Sequence, residues 1–288
     1  MTLFEALHAH SWFLYLTVVL FGLCVGSFLN VVIYRLPKMM EAQWHAECAA
    51  LAGKEPEPAA VFNLVHPRSR CPSCGTQITA LQNIPVVSWL YLGGKCANCK
   101  APISFRYPAI EIAAALVAAL MAWRFGYSGA LLGSLVFAWA LLALTFIDLD
   151  TQLLPDDITL PLLWAGLIAN TFGTFTDLRS AVLGAVGGYL LLWLVYWGFK
   201  LIAKKEGMGY GDFKLLAALG AWLGWQVLPF VVLVSAGLGA VLGGVALWLS
   251  KRGMETRIPF GPYLALGGIV GLLAGRQAVI WWIGYFPR

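Results

Sequence analysis

Charged side chains are scarce in this sequence. Asp, Glu, Lys and Arg make up 11% of the 288 residues, whereas hydrophobic residues make up 60%. The mean hydropathy is +0.77. These values exclude an ordinary water-soluble domain, because such a domain carries about twice this share of charge. The composition predicts an all-α polytopic protein embedded in a lipid bilayer, and no nucleic acid partner is expected.

Other absences narrow the function further. No Lys or Arg precedes the first apolar run, and that run is too long for a signal-peptide core, so no cleavable signal is expected. The glycines at positions 207, 209 and 211 follow no strand and lack the Lys-Ser/Thr of a phosphate loop, which argues against a nucleotide site. The chain also lacks obvious inverted halves, a feature of many transporters.

Long apolar runs predict eight membrane helices and three domains. The domains are an N-terminal transmembrane helix in residues 1–33, a cytoplasmic zinc-binding segment in 34–107 and a membrane core in 108–288. The second and sixth runs are short for a full span. The predicted spans are Ser11–Ile33, Ala109–Trp123, Ala130–Ile147, Ile158–Phe172, Ala181–Ile202, Phe213–Trp225, Val227–Leu249 and Pro262–Ile283.

The basic residues predict the orientation. Of the 19 Lys and Arg residues, 15 fall in or beside the loops after the first, fifth and seventh predicted spans. Because basic loops stay in the cytoplasm, these loops are predicted to be cytoplasmic and both termini external. Asp148 and Asp212 were not used in this assignment, and both fall on the cytoplasmic side.

These two aspartates are the strongest candidates for chemistry. Asp148 closes the apolar run Leu131–Ile147, and Asp212 follows the glycine-rich stretch 207–211. A carboxylate beside lipid is expensive and usually has a partner or a task. The two lie 64 positions apart. If the fold brings their helices together, they form a water-activating pair of the aspartic-protease type.

Structural roles for the acids remain open at this point. Asp148 could be a helix-end carboxylate in the headgroup region, and Asp212 could be an N-cap or a first-turn acid. Asp150 would lie on nearly the opposite helix face from Asp148. Asp157 is expected to cap the fourth span. Glu111 could orient a substrate amine, pair with Lys214 or simply lie near the interface.

Two CxxC pairs form the second constellation. Cys71 and Cys74 are followed, after 21 intervening residues, by Cys96 and Cys99. Four thiolates on two tight turns suit one tetrahedral structural zinc ion. The alternatives are a redox dithiol or two disulfides, and a cytoplasmic location disfavours stable disulfides. Asn30, near the end of the first span, is expected to hydrogen-bond a neighbouring helix.

Four separated motifs resemble the type IV prepilin peptidases. Gly209-Tyr210-Gly211-Asp212 matches the GxGD signature of membrane aspartic proteases, and the resemblance covers the whole chain. The four matching stretches are 26–37 (GSFLNVVIYRLP), 147–156 (IDLDTQLLPD), 207–215 (GMGYGDFKL) and 259–263 (PFGPY).

The resemblance implies a bifunctional enzyme of the bacterial inner membrane. It would cleave the leader from prepilins and pseudopilins on the cytoplasmic side, with Asp148 and Asp212 as catalytic residues. It would then methylate the new N-terminal amine with S-adenosylmethionine, in type IV pilus assembly, type II secretion or both. The alternatives are a zinc-bearing scaffold and an ion-coupled transporter. The sequence assigns neither the S-adenosylmethionine site nor the oligomeric state.

Overall fold

The computed structural model describes residues 11–53, 61–204, 208–245 and 259–284. Its regular structure in these ranges is helical, with β pairing confined to two isolated bridges. The chain forms two compact units, Met1–Tyr127 and Ser128–Arg288. Several features used above lie outside the described residues, namely Gly207, Lys54, Lys205, Lys251, Arg252, Arg257, Arg288 and positions 246–249 of the seventh predicted span.

The first unit contains two long helices. Helix α1 spans Ser11–Leu51, α2 spans Val87–Tyr91, and α3 spans Arg106–Phe125. A short 3-10 turn covers Leu81–Asn83. Helix α1 continues well past the predicted end of the first span at Ile33, because the polar segment that follows the apolar run is itself compatible with a helix.

Small residues set the packing of α1 on α3. A Cβ atom added at Gly26 would lie 2.6 Å from the Cα of Glu111, and one added at Gly22 would lie 2.9 Å from the Cα of Ala115. Glycine therefore permits the close backbone approach that favours helix association in membranes. The Asn30 side chain donates a hydrogen bond to the Tyr107 carbonyl at 3.1 Å, which confirms its predicted link to a neighbouring helix.

The second unit is built around one buried helix. Its helices are α4 (Gly129–Thr151), α5 (Asp156–Thr171), α6 (Leu178–Ala203), α7 (Tyr210–Leu223), α8 (Leu228–Leu238, continuing as a π turn over Gly239–Gly243) and α9 (Gly261–Ile283). From Asp212 to Leu223 nearly every residue of α7 is buried. Helices α5, α6 and α9 all pack against α7.

Asn170 fixes the C-terminal end of α7. Its side-chain amide donates to the carbonyls of Ala221 and Trp222 at 2.8 and 3.1 Å. Its oxygen accepts from the backbone N–H groups of Phe175 and Thr176. Because these polar groups are hydrogen-bonded to one another inside the protein, the network fixes the position of α7 along its own axis in the second unit. That position also determines where Asp212, at the other end of α7, lies.

Five helices of the described chain are long and apolar enough to cross a membrane, namely α1, α3, α4, α6 and α9. Helices α5 and α7 have 16 and 14 residues. Both are shorter than the ~20 residues that an upright span requires. The protein is thus a multi-pass membrane protein, and five of the eight predicted spans reach full length.

Candidate active site

Asp148 lies in the last turn of α4 and is only 5% exposed. The backbone N–H of Gly261, at the start of α9, donates a hydrogen bond to its Oδ2 atom at 2.9 Å. Helix α4 ends at Thr151. The next residue, Gln152, adopts a left-handed conformation, and its backbone N–H donates to the Asp148 carbonyl. The carboxylate is therefore held by a neighbouring helix at the point where its own helix stops.

Asp212 lies in the first turn of α7 and is 7% exposed. The N-cap position belongs to Gly209, which is extended, with φ −83° and ψ 152°. The Gly209 backbone also hydrogen-bonds the Asp212 carboxylate. Of the structural roles considered for this residue, the structure supports that of a first-turn acid, which the helix dipole favours.

The fold brings these two carboxylates together. Asp148 lies near enough to Asp212 for their negative charges to repel. Leu154 lies beside the backbone of Gly211, which precedes Asp212, and beside the backbone of Gly261, which bonds Asp148. A Cβ atom added at Gly211 would lie 2.7 Å from the Leu154 Cβ, and one added at Gly261 would lie 2.6 Å from the Asp148 Oδ2 and 3.1 Å from the Leu154 Cδ2. The segments that carry Gly211, Gly261 and Leu154 can approach this closely because glycine has no side chain.

An ion pair links the two aspartate-bearing segments. Lys214 Nζ lies 2.6 and 2.8 Å from the two carboxylate oxygens of Asp156. Lys214 follows Asp212 on α7, and Asp156 begins α5 just after the turn that leaves Asp148. Lys214 binds Asp156, and Glu111, in the first unit, accepts a hydrogen bond from the Val86 N–H, so each of these two residues has a partner within its own unit.

Two neighbouring acids can also be placed. Asp150 is exposed, whereas Asp148 is buried, as the helical spacing predicts. The expected N-cap role of Asp157 is wrong, because α5 begins one residue earlier and Pro155 occupies the cap. Proline fixes a backbone angle suited to a helix start, so no side-chain cap is required there.

Sequence reasoning missed the contacts that surround the aspartates. Gly261 belongs to a matched motif but received no predicted role, and Leu154 and Asp156 lie in the matched stretch 147–156 without an assigned function. The available signal was their position inside short matched motifs. A contact between a glycine and a carboxylate 113 positions away leaves no pattern in the local sequence.

The four cysteines of the CxxC pairs form a single cluster in the first unit. Their Sγ atoms all lie within 4.8 Å of one another. Two matching turns build it: Gly75 N–H bonds the Cys71 carbonyl, and Lys100 N–H bonds the Cys96 carbonyl, with positive φ at both Gly75 and Lys100. The tight turns predicted for the two CxxC pairs are therefore confirmed.

The cluster has the donor set of a metal site. The Sγ atoms of Cys71 and Cys99 are 3.8 Å apart, too far for a disulfide. Hydrogen bonds with the hydroxyl and the backbone of Thr76 lower the pKa of Cys74 to about 6. Despite a hydrogen bond from the Ala101 backbone, the neighbouring thiols raise the pKa of Cys99 to about 11. The Asn98 amide donates to the Thr76 hydroxyl at 2.9 Å. Thr76 thus favours the thiolate form of Cys74, which is the form that a metal requires. Cys24 and Cys48 are exposed, free thiols outside the cluster.

Comparison with known proteins identifies the family. Residues 20–125 match the bacterial peptidase A24 N-terminal domain, and residues 135–244 match the type IV leader peptidase family. A prepilin leader peptidase/N-methyltransferase of Pseudomonas aeruginosa is 55% identical over 278 residues, covering 96% of each chain. This chain belongs to the type IV leader peptidase family. The resemblance in the four motifs is therefore confirmed.

Other members of the family are similarly close. A protein of the same name from Aeromonas hydrophila is 51% identical over 286 residues, covering 99% of each chain. Another, from Burkholderia pseudomallei, is 52% identical over 260 residues, which is 89% of this chain and 84% of the relative. No solved structure matches the chain. The two family matches fall within the two compact units, one in each.

Proposed function

We propose that this protein is a membrane aspartic endopeptidase that removes the leader from type IV prepilins and pseudopilins, with Asp148 and Asp212 as its catalytic residues. The observation that carries the proposal is that two buried carboxylates, 64 positions apart, lie within range of each other's charge in the second unit. The relatives are named for leader peptidase activity, which supplies the substrate class. The scaffold and transporter alternatives have no comparable support.

The mechanism follows from the chemistry of a carboxylate pair. Two carboxylates that share one water molecule disfavour each other's ionisation, so an aspartic-protease pair holds one proton near neutrality. The ionised member takes a proton from a water molecule, which attacks the scissile carbonyl carbon. The protonated member hydrogen-bonds the carbonyl oxygen and then protonates the leaving amine. Because the proton belongs to the pair, the two roles are not assigned to individual aspartates.

Backbone groups orient the pair. The Gly261 N–H occupies one oxygen of Asp148, and the Gly209 backbone bonds the Asp212 carboxylate. These contacts restrict rotation of both carboxylates and so help to hold them toward a shared water molecule. Gly209 is exposed and extended and has no side chain, so an unwound substrate strand can approach its backbone closely.

The names of the relatives support a second activity, N-methylation of the newly exposed N-terminal residue. S-adenosylmethionine supplies the methyl group when it is bound. The amine released by leader cleavage is the acceptor. Neither unit carries a glycine-rich dinucleotide motif, so the residues that hold the methyl donor must be sought in other features of the structure.

The cysteine cluster is proposed to bind a structural zinc ion through Cys71, Cys74, Cys96 and Cys99. The spacing of the sulfur atoms and their two matched turns suit tetrahedral four-sulfur coordination. Four protein ligands leave no open position for a catalytic water. The ion would therefore stabilise the loop between α1 and α3, whose described residues form short helical turns and two isolated β bridges.

The proposed topology has eight spans in the bacterial inner membrane, with both aspartates and the cysteine cluster on the cytoplasmic side. The five long helices account for five spans, and α5, α7 and α8 with its π turn account for the other three. The concentration of basic residues in three loops supports the orientation. Short spans are acceptable where neighbouring helices cover them, as α5 and α6 cover α7.

Cleavage of a purified prepilin by the detergent-solubilised protein tests the proposal. Asp148→Asn and Asp212→Asn should each lower the cleavage rate by about 10³-fold or more, since each removes one proton-transfer group. The matched control is Asp150→Asn, which alters an exposed acid two residues from Asp148 and should retain cleavage. Zinc content should stay unchanged in all three variants. Cleavage at the normal rate by either active-site variant would exclude that aspartate from the mechanism.

A further inference from the structure

The first unit contains a buried carboxylate that proteolysis does not use. Glu111, on α3, is only 8% exposed. Its Oε2 atom accepts the Val86 N–H at 2.7 Å, and the Ser27 side chain also hydrogen-bonds it. Among the described residues, no Lys or Arg forms an ion pair with it. A buried carboxylate without a cation is costly, so its presence calls for a reason.

The backbone beside Glu111 is also unusual. Val86 has φ 60° and ψ −50°, a conformation that β-branched residues rarely adopt. Its N–H group is the one that Glu111 accepts, so the carboxylate helps to hold this strained turn. Such strain persists only where the surrounding structure fixes it, and it is concentrated at functional sites.

A groove of about 280 Å³ lies beside this carboxylate. Ser27 both lines the groove and hydrogen-bonds Glu111, and Pro85 lines it one residue before the strained Val86. Most of the wall is apolar. The lining residues are Cys24, Ser27, Phe28 and Val31 of α1, together with Asn83 and Pro85.

These features select a compact organic cation as the ligand. A negative charge behind an apolar wall attracts a cation strongly, because little water is present to screen it. The Phe28 ring adds a surface that favours onium groups. A divalent metal ion fits less well, since Mg²⁺ and Ca²⁺ prefer sites rich in oxygen ligands, whereas the mostly apolar lining adds only the side-chain oxygens of Ser27 and Asn83 to the single Glu111 carboxylate.

We propose that the groove beside Glu111 and Ser27 binds a cationic group of the methyl-transfer reaction. This inference rests on the proposed methyltransferase activity. Two reactants share the required chemistry: the sulfonium of S-adenosylmethionine and the ammonium form of the new N-terminus. Glu111 supplies the opposing charge, while Ser27 and the Val86 turn position its carboxylate.

The first test compares wild type with Glu111→Gln in the full-length protein. The substitution removes the charge but keeps an oxygen that accepts the Val86 N–H. Calorimetry would measure the affinities of S-adenosylmethionine and of S-adenosylhomocysteine, which lacks the positive charge. If the groove binds the sulfonium, the ratio of the affinity for S-adenosylmethionine to that for S-adenosylhomocysteine should fall about tenfold or more in Glu111→Gln. Glu47→Gln, which alters an exposed acid of α1, is the control.

A different result is expected if the groove binds the ammonium group of the new N-terminus. The affinity for S-adenosylmethionine would then stay unchanged in Glu111→Gln. The KM for a peptide with a free pilin-type N-terminus would instead rise about tenfold or more, as expected when one partner of a buried charge pair is neutralised. Unchanged values for both ligands, in a variant that still cleaves the leader, would overturn the proposal.

A labelling experiment tests the groove without turnover. Cys24 is exposed and lines the groove, whereas Cys48 is exposed elsewhere on α1. S-adenosylmethionine or the free-amine peptide should slow alkylation of Cys24, mapped by mass spectrometry, and leave Cys48 unaffected. Protection by neither ligand would refute the groove. Protection by a protein that neither cleaves nor methylates would support the groove and count against the proposed function.

Discussion

The cysteine cluster and the aspartate pair each join two chain segments, but the segments are held in different ways. Each cysteine pair lies on a turn that closes through its own hydrogen bond, from Gly75 to Cys71 in one and from Lys100 to Cys96 in the other. Asp148 and Asp212 lie at helix ends whose positions depend on packing throughout the second unit. The first arrangement is local, whereas the second is a product of tertiary structure.

This difference determines how each site should fail. The turns that carry the cysteines are formed by local hydrogen bonds. The cluster should therefore lose metal binding only when a sulfur ligand is removed. The aspartates are surrounded by backbone at contact distance, so their pairing should fail when a single methyl group is added to Gly261 or Gly211. The largest effect is expected from loss of a cysteine ligand, and the smallest from loss of an exposed ion pair.

Removing one cysteine should abolish metal binding. Cys71→Ser is expected to reduce zinc from about one ion per chain to near zero, because a structural zinc site contributes about 10–16 kcal/mol through all its ligands together. Elemental analysis of the purified protein measures the loss, and limited proteolysis should show a newly sensitive loop between α1 and α3. Cys48→Ser, outside the cluster, should keep its zinc. Full zinc occupancy in Cys71→Ser would contradict four-cysteine coordination.

A methyl group at Gly261 should disrupt the aspartate pair. The added Cβ would lie 2.6 Å from the Asp148 Oδ2 atom, so either the carboxylate or α9 must move. A displacement of about 1 Å at a catalytic group costs about 100-fold in rate. Prepilin cleavage by Gly261→Ala should fall by that factor. Gly198→Ala on α6 is the control, since its Cβ meets no atom within 4 Å; equal rates for the two variants would refute the steric argument.

The two glycines of the GxGD motif should differ in their tolerance. In Gly211→Ala the new Cβ would lie 2.7 Å from the Leu154 Cβ, whereas in Gly209→Ala the nearest atom is 3.9 Å away. Overpacking costs roughly 1–3 kcal/mol, so cleavage by Gly211→Ala should fall about tenfold. Gly209→Ala should remain near the wild-type rate because its extended backbone is accessible to alanine. A larger defect at Gly209 would indicate that the substrate approaches that Cα closely.

The Lys214–Asp156 ion pair should have the smallest effect. The Lys214 and Asp156 side chains are 31% and 51% exposed, so solvent screens their attraction. Exposed pairs contribute about 0.2–1 kcal/mol, and Lys214→Met or Asp156→Asn should slow cleavage about two- to fivefold. A double-mutant cycle with both changes separates their interaction from other losses. Strictly additive effects would show that the pair does not couple α7 to the start of α5.

Much of this protein could be predicted from local sequence. Apart from the C-terminal end of α1, the apolar runs predicted most of the described helices to within a few residues, as in α6, expected at Ala181–Ile202 and observed at Leu178–Ala203. The CxxC spacing predicted the cysteine cluster, and the motifs predicted the family. These features are readable because burial in lipid, tight turns and metal-ligand spacing all act over a few residues.

Only the tertiary structure decided which groups surround the aspartates. Lys214 pairs with Asp156, and the Gly261 N–H holds Asp148. The sequence by itself established a helical membrane protein with two candidate carboxylates and four clustered cysteines. Their partners depended on the packing of helices far apart in the chain, because close backbone contacts and backbone hydrogen bonds between distant segments leave no periodic pattern in the residues that make them.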